Sequence, residues 1–260
     1  MVTTDLAATR SMRETWQNYK GHLSAGAPWG SISVILGVIP VLLLLNLFPS
    51  ILSFDTAKAS GLLGDLFIKS LAVSLFLPFL LIGFNAVCKW LGHQPEKPVM
   101  SHILAAYPRY FTLALLSAFY YTLIYVICFG LPKFGSDPIL RLVWIVLAQY
   151  WVVLILPLPV LMESHETSLF QSLRLSYRHF HVVRWNLYLM LLLLVIFNGI
   201  PMGISAILLS KALIATGVAK CLLLLIALLF LAPLAFTLPY SWLAVRDFTN
   251  RLMDYELLKQ

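Results

Sequence analysis

Residues that could bind a metal ion are concentrated after position 162 of this chain. Glu163, His165, Glu166, His179 and His181 carry the carboxylate and imidazole groups that hold zinc in proteins. Their spacing does not match a metal site, because no second histidine follows His165-Glu166 at the distance that a zinc-binding helix needs. The sequence also lacks a GxSxG nucleophile motif and a Gly-rich phosphate loop with lysine. We therefore interpret the five residues as solvated loop residues, and expect no metal, no cofactor and no enzyme.

Four uncharged polar residues lie within otherwise apolar stretches. They could line a path for a substrate, or they could form hydrogen bonds between helices worth about 0.6–2 kcal/mol each. The second interpretation is favoured, because such contacts are common between helices in membranes. These candidate cavity-lining or interhelical residues are Asn46, Asn85, Gln149 and Asn198.

The segments that carry these residues are strongly apolar. The chain has 260 residues, of which 60% are hydrophobic and 11% are charged, whereas soluble domains average about 45–50% and about 25%. Six apolar stretches contain one charged residue, Lys69, and each reaches the length of about 20 residues that a membrane-spanning helix needs. The sequence therefore predicts an all-α, polytopic membrane protein forming a single membrane domain, with spans at about 32–54, 66–88, 111–130, 142–162, 187–209 and 221–244.

Lysine and arginine residues predict the orientation. The N-terminal segment 1–30, the C-terminal segment 245–260 and the second and fourth connections carry 12 of them, and the other connections and span ends carry 6. The positive-inside rule assigns the richer side to the cytoplasm, so both termini are expected there. The net charge of +7 is spread over helix ends rather than gathered in one patch, which argues against nucleic-acid binding.

The spans are expected to form three helical hairpins. On the cytoplasmic side, apolar and aromatic residues such as Met12, Trp16 and Tyr19 recur at helical spacing, which predicts amphipathic helices in the headgroup layer. Proline recurs in every second span, and this either marks a repeated unit or reflects the general abundance of proline in membrane helices. The kinks could widen a central cavity or merely adjust packing. The prolines are Pro78, Pro157 with Pro159, and Pro233 with Pro239.

The end of the fourth span carries a more specific motif. It reads Pro157-Leu158-Pro159-Val160-Leu161-Met162-Glu163, and then Phe170-Gln171-Ser172-Leu173-Arg174-Leu175-Ser176-Tyr177. This pattern resembles the YciC-like family of six-span bacterial inner-membrane proteins, in which a Pro-Val helix end meets an acidic residue and Phe-x-Ser-(Leu/Met)-Arg-x-Ser follows. The resemblance implies an integral inner-membrane protein and supplies no catalytic residues. The matching positions, expected to form a structural turn in which Glu163 could pair with Arg174 or Arg178, are Pro159, Glu163, Phe170, Ser172, Arg174 and Ser176.

Two functions fit these observations. The first is a non-enzymatic membrane scaffold or accessory factor of the cell envelope, which contacts membrane lipids and a protein partner at the cytoplasmic face. The alternative is a transporter or lipid-translocating protein with a cavity between three hairpins. The first is favoured, because ion-coupled transport usually needs ionisable groups near the membrane midplane and the apolar stretches have none there.

Overall fold

Helices account for nearly all of the residues that the structure describes. A computed structural model describes residues 7–47, 75–76, 78–79, 100–129, 138–164 and 166–257. Within these ranges the all-helical class predicted from the sequence is confirmed. The helices are α1 (Ala8–Tyr19), α2 (Leu23–Ser33), α3 (Ile39–Leu47), α4 (Met100–Phe129), α5 (Pro138–Ile155), α6 (Leu158–Ser164), α7 (Leu169–Leu194), α8 (Ile200–Ile214), α9 (Gly217–Leu231) and α10 (Leu234–Leu257).

Four helical stretches of the described chain are long and apolar enough to cross a membrane, which indicates an integral membrane protein. They are Leu23–Leu44, Leu142–Glu163, Val183–Ile214 and Gly217–Asp254, and they overlap the predicted first, fourth, fifth and sixth spans. The predicted third span lies on α4, whose apolar part is shorter. The predicted second span, 66–88, lies outside the described residues apart from Leu75, Phe76, Pro78 and Phe79. The six spans and three hairpins stay predictions.

Two of the long helices are continuous through a π turn. Val34–Val38 joins α2 to α3, and Val195–Gly199 joins α7 to α8. The first apolar helix therefore begins at Leu23, inside the segment 1–30 that the sequence assigned to the cytoplasmic surface. The cause is tertiary packing, because α2 buries Trp29 and its C-terminal turn while it packs against α10.

Proline interrupts the apolar helices at equivalent places. α5 ends at Ile155, a turn at 156–157 follows, and α6 resumes the path at Leu158. α9 and α10 are separated in the same way by a turn at 232–233. Pro157 and Pro233 lack the N–H that a continuing helix would need, which explains both breaks.

The second, fourth and C-terminal amphipathic segments extend long helices and do not form separate ones. Tyr107 lies on α4, Tyr177 on α7 and Leu252 on α10. These three segments are therefore parts of long helices, and their predicted placement at the membrane surface stays a prediction. Helix α1 is different, because a turn at 20–22 separates it from α2.

Helix α10 lies at the centre of the packing. It contacts α1, α2, α6 and α7, while α8 packs against α9 and α4 packs against α5. Buried polar groups join the last two pairs: Ser205 donates to the carbonyl of Ala227 (3.0 Å), and the Trp151 indole N–H donates to Ser117 Oγ (3.1 Å). The main core contains large buried side chains from several helices, among them Tyr19, Trp29, Tyr110, Leu187, Met190, Trp242 and Phe248.

Candidate functional site

Helix α1 is docked on the bundle through one face. It buries Met12, Thr15 and Tyr19, along with its small residues Ala8 and Ser11. The Tyr240 hydroxyl of α10 donates a hydrogen bond to the main-chain carbonyl of Met12 (3.0 Å), and this bond is buried. The N-terminal helix is therefore fixed to the last apolar helix, which lies more than 200 residues later in the chain.

Tyr240 is also the centre of an aromatic cluster. Its ring meets Trp16 edge-on (centroids 5.7 Å apart), stacks on Tyr19 (6.2 Å) and meets Phe197 edge-on (6.1 Å). Aromatic pairs at such separations contribute about 0.5–1.5 kcal/mol beyond the area that they bury. Burial also raises the pKa of the Tyr19 phenol to about 12, so Tyr19 stays neutral at physiological pH.

An ion-pair network also joins α1 to α10. Glu14 accepts hydrogen bonds from Arg10 of its own helix (2.8 Å) and from Arg251 of α10. Arg251 in turn donates through Nε to Asp247 (3.0 Å). The hydrogen bonds from Arg10 and then Arg251 hold the pKa of Glu14 below its usual value.

A groove lies beside this docked helix. Its volume is about 580 Å³, and its described lining consists of Trp16, Leu23, Phe197, Phe236, Thr237 and Tyr240. Trp16, Phe197 and Phe236 are 49%, 44% and 45% exposed, so the mouth opens at the surface of the bundle. We name this space the α1 groove. Its size falls within the range of about 300–1,000 Å³ of pockets that bind small ligands.

The only polar side chains of the described α1 groove lining are Tyr240, Thr237 and the indole N–H of Trp16. The Tyr240 hydroxyl is used in the bond to Met12. Thr237 Oγ1 is buried and has no hydrogen-bond partner within the described part of the chain. A buried hydroxyl without a partner is unfavourable for stability.

Two glycines allow α2 to reach α1 and α10 closely. A Cβ added to Gly30 would lie 2.0 Å from the carbonyl oxygen of Ala235, and one added to Gly26 would lie 2.5 Å from the Tyr19 hydroxyl oxygen. Pro239 explains the contact at Gly30, because proline cannot donate to the carbonyl four residues before it, which is that of Ala235. The glycine thus packs on a carbonyl that the helix leaves without its usual donor. The sequence reasoning missed this contact, although Gly26 and Gly30 form the GxxxG pattern of closely packed membrane helices.

Of the four polar residues singled out from the sequence, the structure describes the side chains of Asn198 and Gln149. Asn198 lies in the π turn after α7, and its amide donates to Ser241 Oγ of α10 (2.8 Å) and to the carbonyl of Leu194 (3.1 Å). Gln149 is exposed on α5. Asn46 lies on α3 with its side chain outside the description, and Asn85 lies outside the described residues. Asn198 is therefore an interhelical contact, and none of the four lines the α1 groove among the residues described.

The turn predicted at 159–176 is held by a hydroxyl network. Thr167 donates to the carbonyl of Leu161 (2.9 Å) and shares a hydrogen bond with Ser172 (2.6 Å), and Ser176 donates to the carbonyl of Leu154. Ser168 caps α7 with a capping box completed by Gln171.

Other predicted turn residues have separate surroundings. Glu163 accepts a hydrogen bond from Tyr110 of α4 (3.2 Å), while Phe170 and Arg174 are exposed and Pro159 is buried. Arg178 is also exposed. The hydrogen bond from Tyr110 connects the turn to α4. Pro159 lines a smaller cavity of about 220 Å³ between α4, α5, α7 and α10, together with Leu113, Leu194, Ser241 and Trp242 among others.

The histidines and carboxylates after position 162 do not form a metal site within the described residues. Glu166 and His181 are exposed, and His165 lies outside the description. The interpretation of His179 as a solvated loop residue is wrong, because it is buried on α7. It shares the inward face of that helix with Ser172 and Ser176, at spacings of three to four residues.

Comparison with known proteins does not add a family to this description. No protein-family model, no curated protein and no solved structure matches the chain. The function must therefore be argued from the docked helix α1, the α1 groove beside it and the charges around them.

Proposed function

We propose that this chain is a multi-pass protein of the bacterial inner membrane with both termini in the cytoplasm. In this proposal it acts without catalysis, as a membrane scaffold or accessory factor of the cell envelope. The excess of lysine and arginine at the ends where the termini lie supports the orientation. The resemblance of residues 157–177 to the YciC-like family supports the inner membrane.

The observation that carries the proposal is the docking of α1 on α10. The Tyr240–Met12 hydrogen bond and the Glu14–Arg251 ion pair hold an amphipathic helix at the end of the apolar helices. Such a helix places a fixed basic and aromatic surface at the level of the lipid headgroups. A fixed surface of this kind suits a protein that holds lipids or a partner in position.

The use of the polar side chains also supports a role without catalysis. Ser176, Ser205 and Asn198 each form a hydrogen bond with a neighbouring helix. These groups hold helices together, whereas catalysis would require a nucleophile, base or metal directed into a cavity. The described lining of the α1 groove is apolar and aromatic, and its polar groups are two hydroxyls and the indole N–H of Trp16.

The alternative function is lipid translocation or transport. Its support is the α1 groove together with the smaller cavity beside Pro159 and Trp242. The two functions differ in turnover, because a scaffold binds and a translocator moves lipid between leaflets.

A vesicle assay separates the two functions. The purified chain is reconstituted into vesicles of phosphatidylethanolamine and phosphatidylglycerol that contain a headgroup-labelled fluorescent lipid, and the label is quenched from outside. We expect about half of the label to stay protected, as in protein-free vesicles. Quenching of nearly all the label, in proportion to the protein content, would contradict the scaffold and support translocation.

A further inference from the structure

We propose that the α1 groove is a binding site for one acyl chain of a phospholipid with an anionic headgroup. The inference rests on the proposed membrane placement and adds a ligand class and a site to it. Two observations support it: the mostly apolar described lining of the α1 groove and the exposed basic residues beside its mouth.

The position of the α1 groove fits an acyl chain. Trp16 and Leu23 belong to α1 and the start of α2, where the chain enters the membrane, whereas Phe197 and Phe236 lie deeper on the apolar helices. The lining therefore runs from the headgroup level into the hydrocarbon region. An apolar lining at this depth is compatible with an acyl chain, and half-exposed aromatic side chains at the mouth suit the boundary between headgroups and chains.

Basic residues flank the mouth. Arg13, Trp16 and Lys20 are separated by three and four residues, so they lie on one face of α1, with Trp16 between the two cations. Both cations are exposed, and neither forms an ion pair with any residue in the described part of the chain. A phosphate or an anionic headgroup above the α1 groove would find these two charges within one helical turn of Trp16.

The headgroup part of the proposal is tested by native mass spectrometry of the full chain. Delipidated protein is mixed with equal amounts of dioleoyl phosphatidylglycerol and dioleoyl phosphatidylcholine, and the bound lipids are counted. We expect a preference for phosphatidylglycerol that falls about fivefold for each charge removed in Arg13→Gln and Lys20→Gln. The matched control is Lys211→Gln with Lys220→Gln, which removes two exposed charges from the opposite end of the helices. An equal fall of the phosphatidylglycerol preference in the Arg13 and Lys20 variants and in the Lys211 and Lys220 control would overturn this assignment. So would the absence of a fall in either.

Occupancy of the α1 groove itself is tested by filling it. Leu23→Trp should reduce the number of tightly retained lipids by one per chain, whereas Leu222→Trp, on an exposed face of α9, should leave the number unchanged. Equal lipid retention in the two tryptophan variants would refute the proposal. A peptide bound to the wild-type chain in place of the lipid would refute it as well. Helical circular dichroism and elution volume verify that each variant is folded, and the charge variants test the site independently because their side chains are exposed.

The outcome is separable from that of the proposed function. If about half of the fluorescent label stays protected and the chain shows no lipid preference, only the lipid site is refuted. A chain that moves the fluorescent lipid would refute the scaffold, whatever it binds.

Discussion

At the scale of single residues, backbone groups and small side chains determine how closely these helices approach. Pro239 deprives the carbonyl of Ala235 of its helical donor, and Gly30 of α2 occupies the space beside that oxygen. Ser205 on α8 and Asn198 in the second π turn also join neighbouring helices, through hydrogen bonds. Such contacts involve few residues and are not visible in the amino-acid composition. They nevertheless determine how α1, α2 and α10 are positioned relative to one another.

Gly30→Ala should destabilise the protein. The added Cβ would lie 2.0 Å from a main-chain oxygen, so α2 and α10 must separate, at a cost of about 1–3 kcal/mol. The lower stability would be measured as a lower midpoint of thermal unfolding in detergent.

Gly203→Ala is the control for this substitution. Gly203 also lies within a described helix, but its added Cβ would meet nothing within 4 Å. Since alanine favours helix over glycine by up to about 1 kcal/mol, this variant should be as stable as the wild type or more stable. Equal losses in both variants would contradict the close contact at Gly30.

The pH dependence of α1 docking should follow Glu14. Its pKa is lowered from 4.5 in the folded state, so its ionised form stabilises docking above pH 4.5, and this contribution is lost as the pH falls through the lowered value. Hydrogen exchange of the α1 amides should therefore speed up in acid beyond the intrinsic change.

Two variants frame the pH experiment. Glu14→Gln should exchange faster at neutral pH and lose the acid-dependent increase. Asp254→Asn, an exposed site near the end of α10, should behave as the wild type. Acid-dependent exchange that persists in Glu14→Gln would show that another group controls α1.

At the scale of helices, the breaks and π turns affect the arrangement of the bundle more than the lengths of the apolar stretches do. The turns at 156–157 and 232–233 divide two apolar stretches into paired helices, and the π turns 34–38 and 195–199 shift the register of two others. π turns often occur at functional sites, and here the second one carries both Phe197, which lines the α1 groove, and Asn198.

The bond from Asn198 to Ser241 should couple the second π turn to α10. In a double-mutant cycle, Asn198→Leu and Ser241→Ala should show a coupling free energy of about 0.6–1.7 kcal/mol. Unfolding in a denaturing detergent would give the four stabilities needed.

Gln149→Leu is the matched substitution for that cycle. Gln149 is exposed on an apolar helix, so its replacement should be neutral or stabilising and should not couple with Ser241→Ala. A coupling near zero between Asn198 and Ser241 would mean that the contact has no energetic role.

The sequence predicted some of these features and not others, for physical reasons. The helical class follows from apolar stretches that lack charge, and the cap at Ser168 follows from local spacing, so both were predictable. The α1 groove depends on Trp16 meeting Tyr240 and on Glu14 meeting Arg251, pairs separated by more than 200 residues. Local patterns do not encode such pairs. The burial of His179 was missed for the same reason, because the face it shares with Ser176 packs against the bundle.

At the scale of the whole molecule, the docked α1 and the membrane helices act as one unit. Helix α1 and the later part of α10 are bonded to each other, so these two described segments lie on the same side of the bundle. The connection at 215–216 between α8 and α9 lies at the other end of those helices. Each proposed function depends on which side of the membrane these two ends of the bundle face.

The most direct test of the central claim is therefore a labelling experiment in intact bacterial cells. Single cysteines replace Gln17 on α1, Asp254 on α10 or Lys211 on α8, all three exposed, in a chain whose native cysteines are changed to alanine. A membrane-impermeant maleimide should label position 211 in intact cells, and positions 17 and 254 only after the inner membrane is permeabilised. Labelling of position 17 from the outside, or of all three positions from the same side, would contradict a membrane-spanning protein whose docked helix α1 faces the cytoplasm.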